Sequence, residues 1–305
     1  MKDRESVGEI CKPEPDRTGT EKPEERHPNM ENTVLEKKMN GTRKIIDCHC
    51  HIYPEKIAAR AVAGIGNFYH INMRYDGTLN TLLRVGGEAG IDRHIVFSVA
   101  TKPSQTLPIN QFIAAEVAAY PDRLIGLGTL HPESDDLRAD LDALRSLGLR
   151  GVKLHPDVQG FRLDDSRCLE IYRMCVGKIP VLIHTGDSRY DFSNPNRMKP
   201  VLDRYPDLTV IGAHLGGWSI WRDAVKTLAG YPNFYVDCSS SLYALTPGEA
   251  RDVIRTYGAD HVLFGTDYPM WSPKEELERL YALNLDDEEL DLILYGNAQR
   301  LFGIR

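Results

Sequence analysis

Short runs rich in branched apolar residues alternate with longer amphipathic runs from Lys44 to the end of the chain. This alternation is typical of βα units built around a parallel sheet. The strand candidates number eight and occupy residues 44–48, 94–99, 124–130, 151–154, 180–183, 209–213, 234–237 and 261–264. Helical patterns lie between them, for example at 109–119, 135–147, 165–176, 198–205 and 248–257. Eight strands over roughly 260 residues predict an α/β fold, the (β/α)8 TIM barrel, whose usual length is about 250 residues.

Residues 1–43 have a different composition, dense in Glu, Lys, Arg, Pro and Thr and almost free of aromatic and branched apolar residues. Such a segment cannot bury enough apolar surface to offset the entropy that it would lose on ordering. We therefore predict a disordered, charged N-terminal tail over residues 1–43 and a barrel domain over residues 44–305.

Charge and hydropathy exclude several function classes. The 305 residues include 44 acidic and 37 basic side chains, a net charge of -7, and no basic stripe alternates with aromatic residues. We therefore expect no nucleic-acid partner. No apolar run approaches the length that spans a bilayer, and the N-terminus lacks the apolar stretch of a secretion signal. We expect a cytoplasmic protein with a small-molecule substrate and no membrane partner, and a homodimer stays open.

Two histidines one residue apart end the first predicted strand. Alternate side chains of a strand share a face, so His49 and His51 should point to one side together with Asp47. Cys48 and Cys50 should then point to the other side and pack against the outer helices. The six cysteines form no CxxC pair, so we expect free thiols. Neutral imidazoles at a strand end suit Zn, Mn or Fe(II), although two ordinary polar residues would look the same.

Titratable residues recur at the carboxyl ends of the later predicted strands, where a barrel of this kind carries its chemistry. They are His131, His155, His184 and His214 after the third to sixth strands and Asp267 after the eighth. Random placement would not keep putting histidines at these ends, so the pattern predicts a metal site. His131 and His155 each precede a proline, and for both a turn-stabilising role competes with substrate contact.

These strand-end motifs together resemble the amidohydrolase-related family, the branch of the amidohydrolase superfamily that includes the aminocarboxymuconate semialdehyde decarboxylases. The resemblance covers almost the whole predicted barrel and is carried by residues 47–51, 151–156, 181–186, 212–217 and 264–267. It implies that His49, His51, His184 and Asp267 bind a metal, and that His214 is the imidazole beside the metal that handles a proton.

The implied ligand set suits one divalent metal ion, Zn²⁺ with Mn²⁺ as the alternative. A core role for His184 and an indirect hydrogen-bonding role for His214 stay open. Binuclear members of the superfamily carry a carboxylated lysine on the fourth strand. Lys153 lies two residues before His155 on the same face, a layer deeper than a bridging position requires, so we expect a single metal.

Residues for substrate contact are less constrained by the sequence. Lys153 and His155 on the fourth strand could face the substrate. Arg189 follows the fifth strand, and an arginine can clamp a substrate carboxylate with two hydrogen bonds. Each of these residues has an ordinary structural role as its alternative.

The favoured function is a metal-dependent hydrolase, in which a metal-activated water attacks a small carboxylate-bearing amide, ester or lactone. Asp267 or His214 would take or return the proton. The alternative is a metal-dependent, oxygen-independent decarboxylase of a small carboxylic acid, because that reaction uses the same ligand set. A non-catalytic binding barrel is the weaker alternative, since every predicted ligand is present.

Overall fold

Parallel strands close into a barrel in the computed structural model, which describes residues 43–304. The strands are β1 (Ile46–His51), β2 (Arg93–Phe97), β3 (Leu124–Gly126), β4 (Gly128–Thr129), β5 (Val152–Leu154), β6 (Val181–Ile183), β7 (Val210–Gly212), β8 (Phe234–Asp237) and β9 (Val262–Leu263). They pair in the order β1-β2-β3 and β4-β5-β6-β7-β8-β9. The predicted disordered tail, apart from Arg43, lies outside the described residues, as does Cys11.

The predicted third strand is divided into β3 and β4 at Leu127. β3 pairs with β2, whereas β4 pairs with β5, so the break is the point at which the chain changes partner. The barrel is completed between its last and first strands, where Cys48 N donates to Phe264 O at 2.9 Å and His51 N to Tyr268 O at 2.7 Å. The predicted eight-stranded TIM barrel is confirmed, with β3 and β4 as two parts of one strand.

Helices surround the barrel. They are α1 (Glu55–Tyr69), α2 (Leu79–Glu88), α3 (Thr106–Ala119), α4 (Leu137–Ser146), α5 (Pro156–Gln159), α6 (Ser166–Cys175), α7 (Pro195–Arg204), α8 (Trp221–Leu228), α9 (Pro247–Tyr257), α10 (Pro273–Tyr281), α11 (Asp287–Asp291) and α12 (Asn297–Phe302). The predicted helix at 198–205 begins earlier, because Pro195 suits a first helical turn and the Asn194 side chain caps it. Among residues 43–304, no helix could cross a membrane.

Two apolar clusters hold the layers together. One lies inside the barrel and includes Ile95, Phe97, Leu182 and Ile211 together with residues of α12. The other packs the outer face of the strands, such as Val152, against the helices. Apolar side chains fill both the interior of the barrel and the space between the strands and the helices. Polar side chains are therefore concentrated at the carboxyl ends of the strands.

A bulge in β1 corrects two predictions from strict alternation. The register with β2 shifts between Asp47 and Cys50. Cys48 therefore belongs to the inner cluster instead of facing the helices, while Cys50 does lie in the outer one. Asp47 does not join His49 at the site: its carboxylate accepts hydrogen bonds from Thr266 N at 2.9 Å and Thr266 Oγ1 at 2.6 Å. An extra residue in a strand reverses the parity on which such predictions depend.

A buried carboxyl group on α10 gives the fold a pH-dependent stability. The side chain of Glu276 is fully buried, and the Arg279 guanidinium forms an ion pair with one of its oxygens. The other oxygen has no hydrogen-bond partner among residues 43–304. Burial raises the pKa of Glu276 to about 7. Between pH 4.5 and 7 the folded chain keeps this proton and the unfolded chain loses it, so the free energy of unfolding falls as pH rises.

The Glu276→Gln variant should remove this dependence. At pH 8 its free energy of unfolding should be roughly 3 kcal/mol higher than that of the wild type. In the wild type, a pKa difference of about 2.5 between the folded and unfolded chain costs 1.36 kcal/mol per unit once Glu276 is ionised, and glutamine has no such cost. Urea unfolding at pH 5 and pH 8 measures the gain. Glu288→Gln, at an exposed position on α11, is the control. Parallel pH curves for wild type and Glu276→Gln would contradict the assignment.

Candidate metal centre

Most of the predicted site residues line one small chamber at the carboxyl ends of the strands. It has a volume of about 30 Å³ and is called here the metal chamber. Its polar lining consists of His49, His51, Lys153, His155, His184, His214 and Asp267. The rest of its wall comes from Tyr53, Val62, Ile65, Tyr69, Met73, Pro269 and Met270. Two of the candidates from the sequence, Arg189 and His131, do not line it.

Three of the predicted ligands form a tight triangle. His49 Nε2 lies 3.3 Å from His51 Nε2 and 3.4 Å from Asp267 Oδ1, and His51 Nε2 lies 3.5 Å from the same oxygen. A tetrahedral ion with ligands about 2.1 Å away holds those ligands about 3.4 Å apart. The spacing of these donor atoms therefore fits a divalent metal.

Asp237, at the end of β8, fixes the orientation of His49. His49 Nδ1–H donates to Asp237 Oδ2 at 2.9 Å. The other oxygen, Oδ1, accepts hydrogen bonds from Ser239 Oγ at 2.5 Å, Ser239 N at 3.1 Å and His214 N at 3.2 Å. With Nδ1 committed as a donor, Nε2 of His49 presents a lone pair to the triangle. Carboxylates in this position behind a histidine ligand set its tautomer and raise its basicity.

Asp237 was not among the site residues predicted from the sequence. The signal was present, because Asp237 is a carboxylate that ends a predicted strand, the same rule by which the histidines were selected.

The Asp237→Asn variant should bind the metal more weakly while folding normally. The amide would place a donor against His49 Nδ1–H or force the proton onto Nε2, the ligand atom. Loss of such a partner typically lowers metal affinity roughly 10- to 100-fold. Competition with a chromogenic chelator measures it. Asp92→Asn is the matched control, since Asp92 accepts from Ile45 N at the opposite end of the barrel. Equal affinity in both variants would contradict the role.

His214 and His184 are arranged in series beside the triangle. His214 Nδ1–H donates to Ser239 O at 3.1 Å, so its Nε2 faces His184 Nδ1 at 3.1 Å. Ligand atoms of His49, His214 and Asp267 lie within 4.8 Å of one another. His184 thus lies further from the triangle of ligand atoms than predicted, and His214 lies nearer to it. Which of the two completes the ligand set stays a prediction.

Asp157, also missed from the sequence, lies behind His184. Its Oδ2 is 3.6 Å from His184 Nε2, and it accepts a hydrogen bond from Ser193 Oγ at 2.6 Å. Both His184 Nε2 and Asp157 Oδ1 are buried without a hydrogen-bond partner among residues 43–304. Asp157 thus lies behind His184 as Asp237 lies behind His49, but without the hydrogen bond, and His184 Nδ1 faces His214 Nε2.

Burial keeps the imidazoles of the chamber neutral. It lowers the pKa of His49, His51 and His184 well below the usual value, and that of His214 to about 4. Burial raises the pKa of Asp267, and a bound cation would oppose this effect by stabilising the carboxylate. Neutral imidazole is the form that binds a metal, so no proton has to be displaced from these rings at neutral pH.

The Lys153 ammonium lies at the level of the triangle. Its Nζ is 3.2 Å from His49 Nε2 and 4.9 Å from the centre of the Phe97 ring. Burial lowers the pKa of Lys153 to about 8. The expected deeper position is wrong because the flexible four-carbon stem carries the ammonium up from its strand. Its absence from a metal bridge stays a prediction.

His155 is both a helix cap and part of the chamber wall. Its Nδ1 accepts from Val158 N at 3.4 Å, and its Nε2–H donates to Tyr69 OH at 2.7 Å. The ring stacks on His184 with 4.1 Å between centroids. The turn-stabilising role is therefore present, and substrate contact stays a prediction.

Arg189 ties two segments of the protein together. Its guanidinium donates twice to the Asp187 carboxylate, at 2.9 and 2.7 Å, and once to Phe68 O at 2.7 Å. It also lies over the Trp218 ring. The bidentate face that would clamp a substrate carboxylate is engaged by Asp187, so the structure supplies no support for the predicted substrate contact.

The backbone is strained where the site residues are presented. His214 has φ 60°, Ser240 φ 46° and Asp267 φ 56°, in the left-handed region that non-glycine residues rarely adopt. Ser240 Oγ donates to Asp267 Oδ2 at 2.5 Å and accepts from Trp271 Nε1 at 2.8 Å, which holds the carboxylate in place. Such clusters of strained residues persist only where surrounding contacts enforce them.

Comparison with known proteins agrees with this geometry. The family model described as amidohydrolase matches residues 46–304. The chain belongs to the amidohydrolase family. The resemblance expected from the strand-end motifs is therefore confirmed.

Amidohydrolase relatives include decarboxylases. The chain is 25% identical over 251 residues to a gamma-resorcylate decarboxylase from Polaromonas sp., a match that covers 64% of this chain and 75% of that protein. An uncharacterised TIM-barrel protein from Bordetella bronchiseptica is 27% identical, with a TM-score of 0.72 and coverage of 85% and 98%. A dihydroxybenzoic acid decarboxylase from Polaromonas sp., with bound manganese and 2-nitroresorcinol, is 20% identical, with a TM-score of 0.66 and coverage of 86% and 98%.

Proposed function

We propose that this amidohydrolase is a metal-dependent, oxygen-independent decarboxylase of small aromatic carboxylic acids. The observation that carries the proposal is the match over 251 residues to a gamma-resorcylate decarboxylase. Hydrolysis was the favoured expectation from the sequence, with decarboxylation as its alternative. The relatives support the alternative, because both characterised ones named above are decarboxylases.

The donor set suits one divalent ion. His49, His51 and Asp267 would hold it, with His184 or His214 as the fourth protein ligand. Imidazole and carboxylate accept both Zn²⁺ and Mn²⁺, and the manganese of the structural relative makes Mn²⁺ the first ion to test. When bound, such an ion orients the substrate and attracts the negative charge that develops on its oxygens.

The wall of the metal chamber favours loss of a carboxylate. Val62, Ile65 and Met270 give it an apolar side. An apolar surrounding removes the hydration that stabilises a free carboxylate, and the ammonium of Lys153 provides a fixed positive partner. The same wall suits the face of an aromatic ring.

We assign proton delivery to His214 or Asp267. In the reaction the bond between the ring carbon and the carboxylate breaks, and its electron pair stays on the ring carbon. Carbon dioxide leaves, and the ring carbon takes a proton. His214 can take a proton from bulk solvent at Nε2 and deliver it to the ring carbon, because its Nδ1 is committed to Ser239 O. Asp267 is the second candidate for this step.

Carbon dioxide release tests the proposal. The Mn²⁺-loaded chain should release one carbon dioxide per gamma-resorcylate or related hydroxybenzoate consumed, at the same rate with and without oxygen. A panel of amides, esters and lactones is assayed in parallel. Hydrolysis of a panel member without carbon dioxide release from any acid would restore the hydrolase, and inactivity on both sets would favour a binding barrel.

A further inference from the structure

A second, larger cavity opens beside the metal chamber. It has a volume of about 800 Å³ and is called here the outer cavity. His51, Tyr53, Ile65 and His155 line both spaces, so the two are neighbours through one wall. Pockets of roughly 300–1,000 Å³ hold ligands of drug size, much larger than a single ring acid. A substrate confined to the metal chamber would leave the outer cavity unused.

Two helices contribute half of the residues that line the outer cavity, and most of those residues are apolar. α1 contributes Ile57, Ala61, Ile65 and Phe68, whose spacing places them on one side of the helix. α3 contributes Pro108, Ile109 and Phe112. None of these side chains is fully buried. Apolar surface that the protein leaves uncovered beside a reaction site is suited to an apolar part of a substrate.

Two cations and several uncharged polar side chains, such as Ser98, Thr101, Ser104 and Gln105, also line the outer cavity. Lys56 and Arg60 lie one turn apart on α1 and line the outer cavity, and both side chains are exposed. No Asp or Glu of residues 43–304 lines it. The outer cavity thus combines apolar walls with a positive end.

We propose that the outer cavity binds the non-reacting part of the substrate, and that this part is an apolar arm ending in a carboxylate against Lys56 and Arg60. The reacting carboxylate lies in the metal chamber, and the arm extends past His51 and His155, which line both spaces, into the outer cavity. The inference rests on the proposed decarboxylation only for what happens at the reacting end. The arm's fit depends on the volume, walls and charge of the outer cavity alone.

Calorimetric titration of the Mn²⁺-loaded full chain tests the arm. Three probes are compared: 2-hydroxybenzoate, 4-(5-carboxypentyloxy)-2-hydroxybenzoate, and the analogue of the latter whose arm ends in a carboxamide. We expect the carboxylate-arm acid to bind roughly tenfold or more tightly than 2-hydroxybenzoate, because its methylenes become buried. The carboxamide analogue should bind roughly three- to tenfold more weakly than the carboxylate-arm acid, since exposed ion pairs contribute little.

Gly64 allows the outer cavity to be filled without disturbing the fold. It lies on α1 and lines the outer cavity, and a Cβ built there has no atom within 4 Å. Gly64→Leu should abolish the gain in binding affinity that the arm provides, while leaving the affinity for 2-hydroxybenzoate unchanged. Gly87→Leu is the matched control, since Gly87 on α2 is equally open but lines neither cavity. Leucine favours a helix more than glycine, so both variants should fold.

The double variant Lys56→Gln/Arg60→Gln tests the positive end. It should bind the carboxylate and carboxamide arms equally. Equal binding of both arms by the wild type would overturn the proposal that the arm ends in a carboxylate. An arm that adds no affinity in the wild type, or adds as much in Gly64→Leu, would overturn the assignment of the outer cavity.

Carbon dioxide release from the same probes separates this inference from the proposed function. A preference for the arm without decarboxylation of any acid would refute the reaction and retain the binding site. Decarboxylation of 2-hydroxybenzoate or gamma-resorcylate without a preference for the arm would do the reverse.

Discussion

The His49→Ala variant should fold but lose both the metal and activity. It removes the histidine whose Nε2 lies within 3.5 Å of two other candidate ligands, His51 and Asp267. Losing one of four ligands weakens binding severely, whereas the barrel depends on its aliphatic clusters. Metal content by mass spectrometry and turnover on one preparation measure the effect. We expect less than about a hundredth of the wild-type turnover.

Two further variants make this result interpretable. His51→Ala removes a ligand at the partly exposed rim and spares Asp237, so it covers the case in which His49→Ala does not fold. His131→Ala is the matched control, because His131 also ends a strand but its Nδ1 accepts from Glu133 N. Full metal content in both His49→Ala and His51→Ala would refute the centre.

The His214→Asn variant should keep the metal but turn over roughly 100 to 10,000 times more slowly, because that factor is the usual contribution of a positioned acid or base. Asparagine tolerates the left-handed backbone at this position. Substrate affinity should not change, because the lost interaction serves the proton transfer. Metal stoichiometry and steady-state kinetics measure both quantities.

His184→Asn is the reciprocal variant. If His184 completes the ligand set through Nδ1, this variant loses the metal that His214→Asn retains. The opposite result would exchange the two roles, as the 3.1 Å contact between their rings permits. Full metal and near-normal turnover in His214→Asn would leave Asp267 as the proton carrier.

The fold and most of the metal chamber could be predicted because both follow from periodic patterns. Strand and helix periods indicate the barrel, and barrel topology brings the strand ends together whatever their separation in the chain. His49 and Asp267 are more than two hundred residues apart, yet their ligand atoms lie 3.4 Å apart.

The remaining features depend on local geometry, which the periodic spacing of residues in the sequence does not reveal. The bulge in β1 reverses the faces of Asp47 and Cys48, and alternation could not show it. The stem of Lys153 bends toward His49, which only packing decides. Asp157 could not be recognised, because its pairing with His184 arises from the path of a four-residue helix. The outer cavity likewise exists only once α1 and α3 are placed.

The left-handed backbone at His214, Ser240 and Asp267 limits which residues these positions can accept before any chemistry is considered. Glycine, asparagine and aspartate adopt this conformation readily, whereas β-branched side chains do not. In a saturation library, valine, isoleucine and threonine should therefore lower the yield of folded protein at these three positions, whereas asparagine should preserve it whatever its effect on metal binding or rate. Evolution toward a different reaction on this barrel would start more easily from residues on the α1 wall, whose helical backbone accepts most side chains.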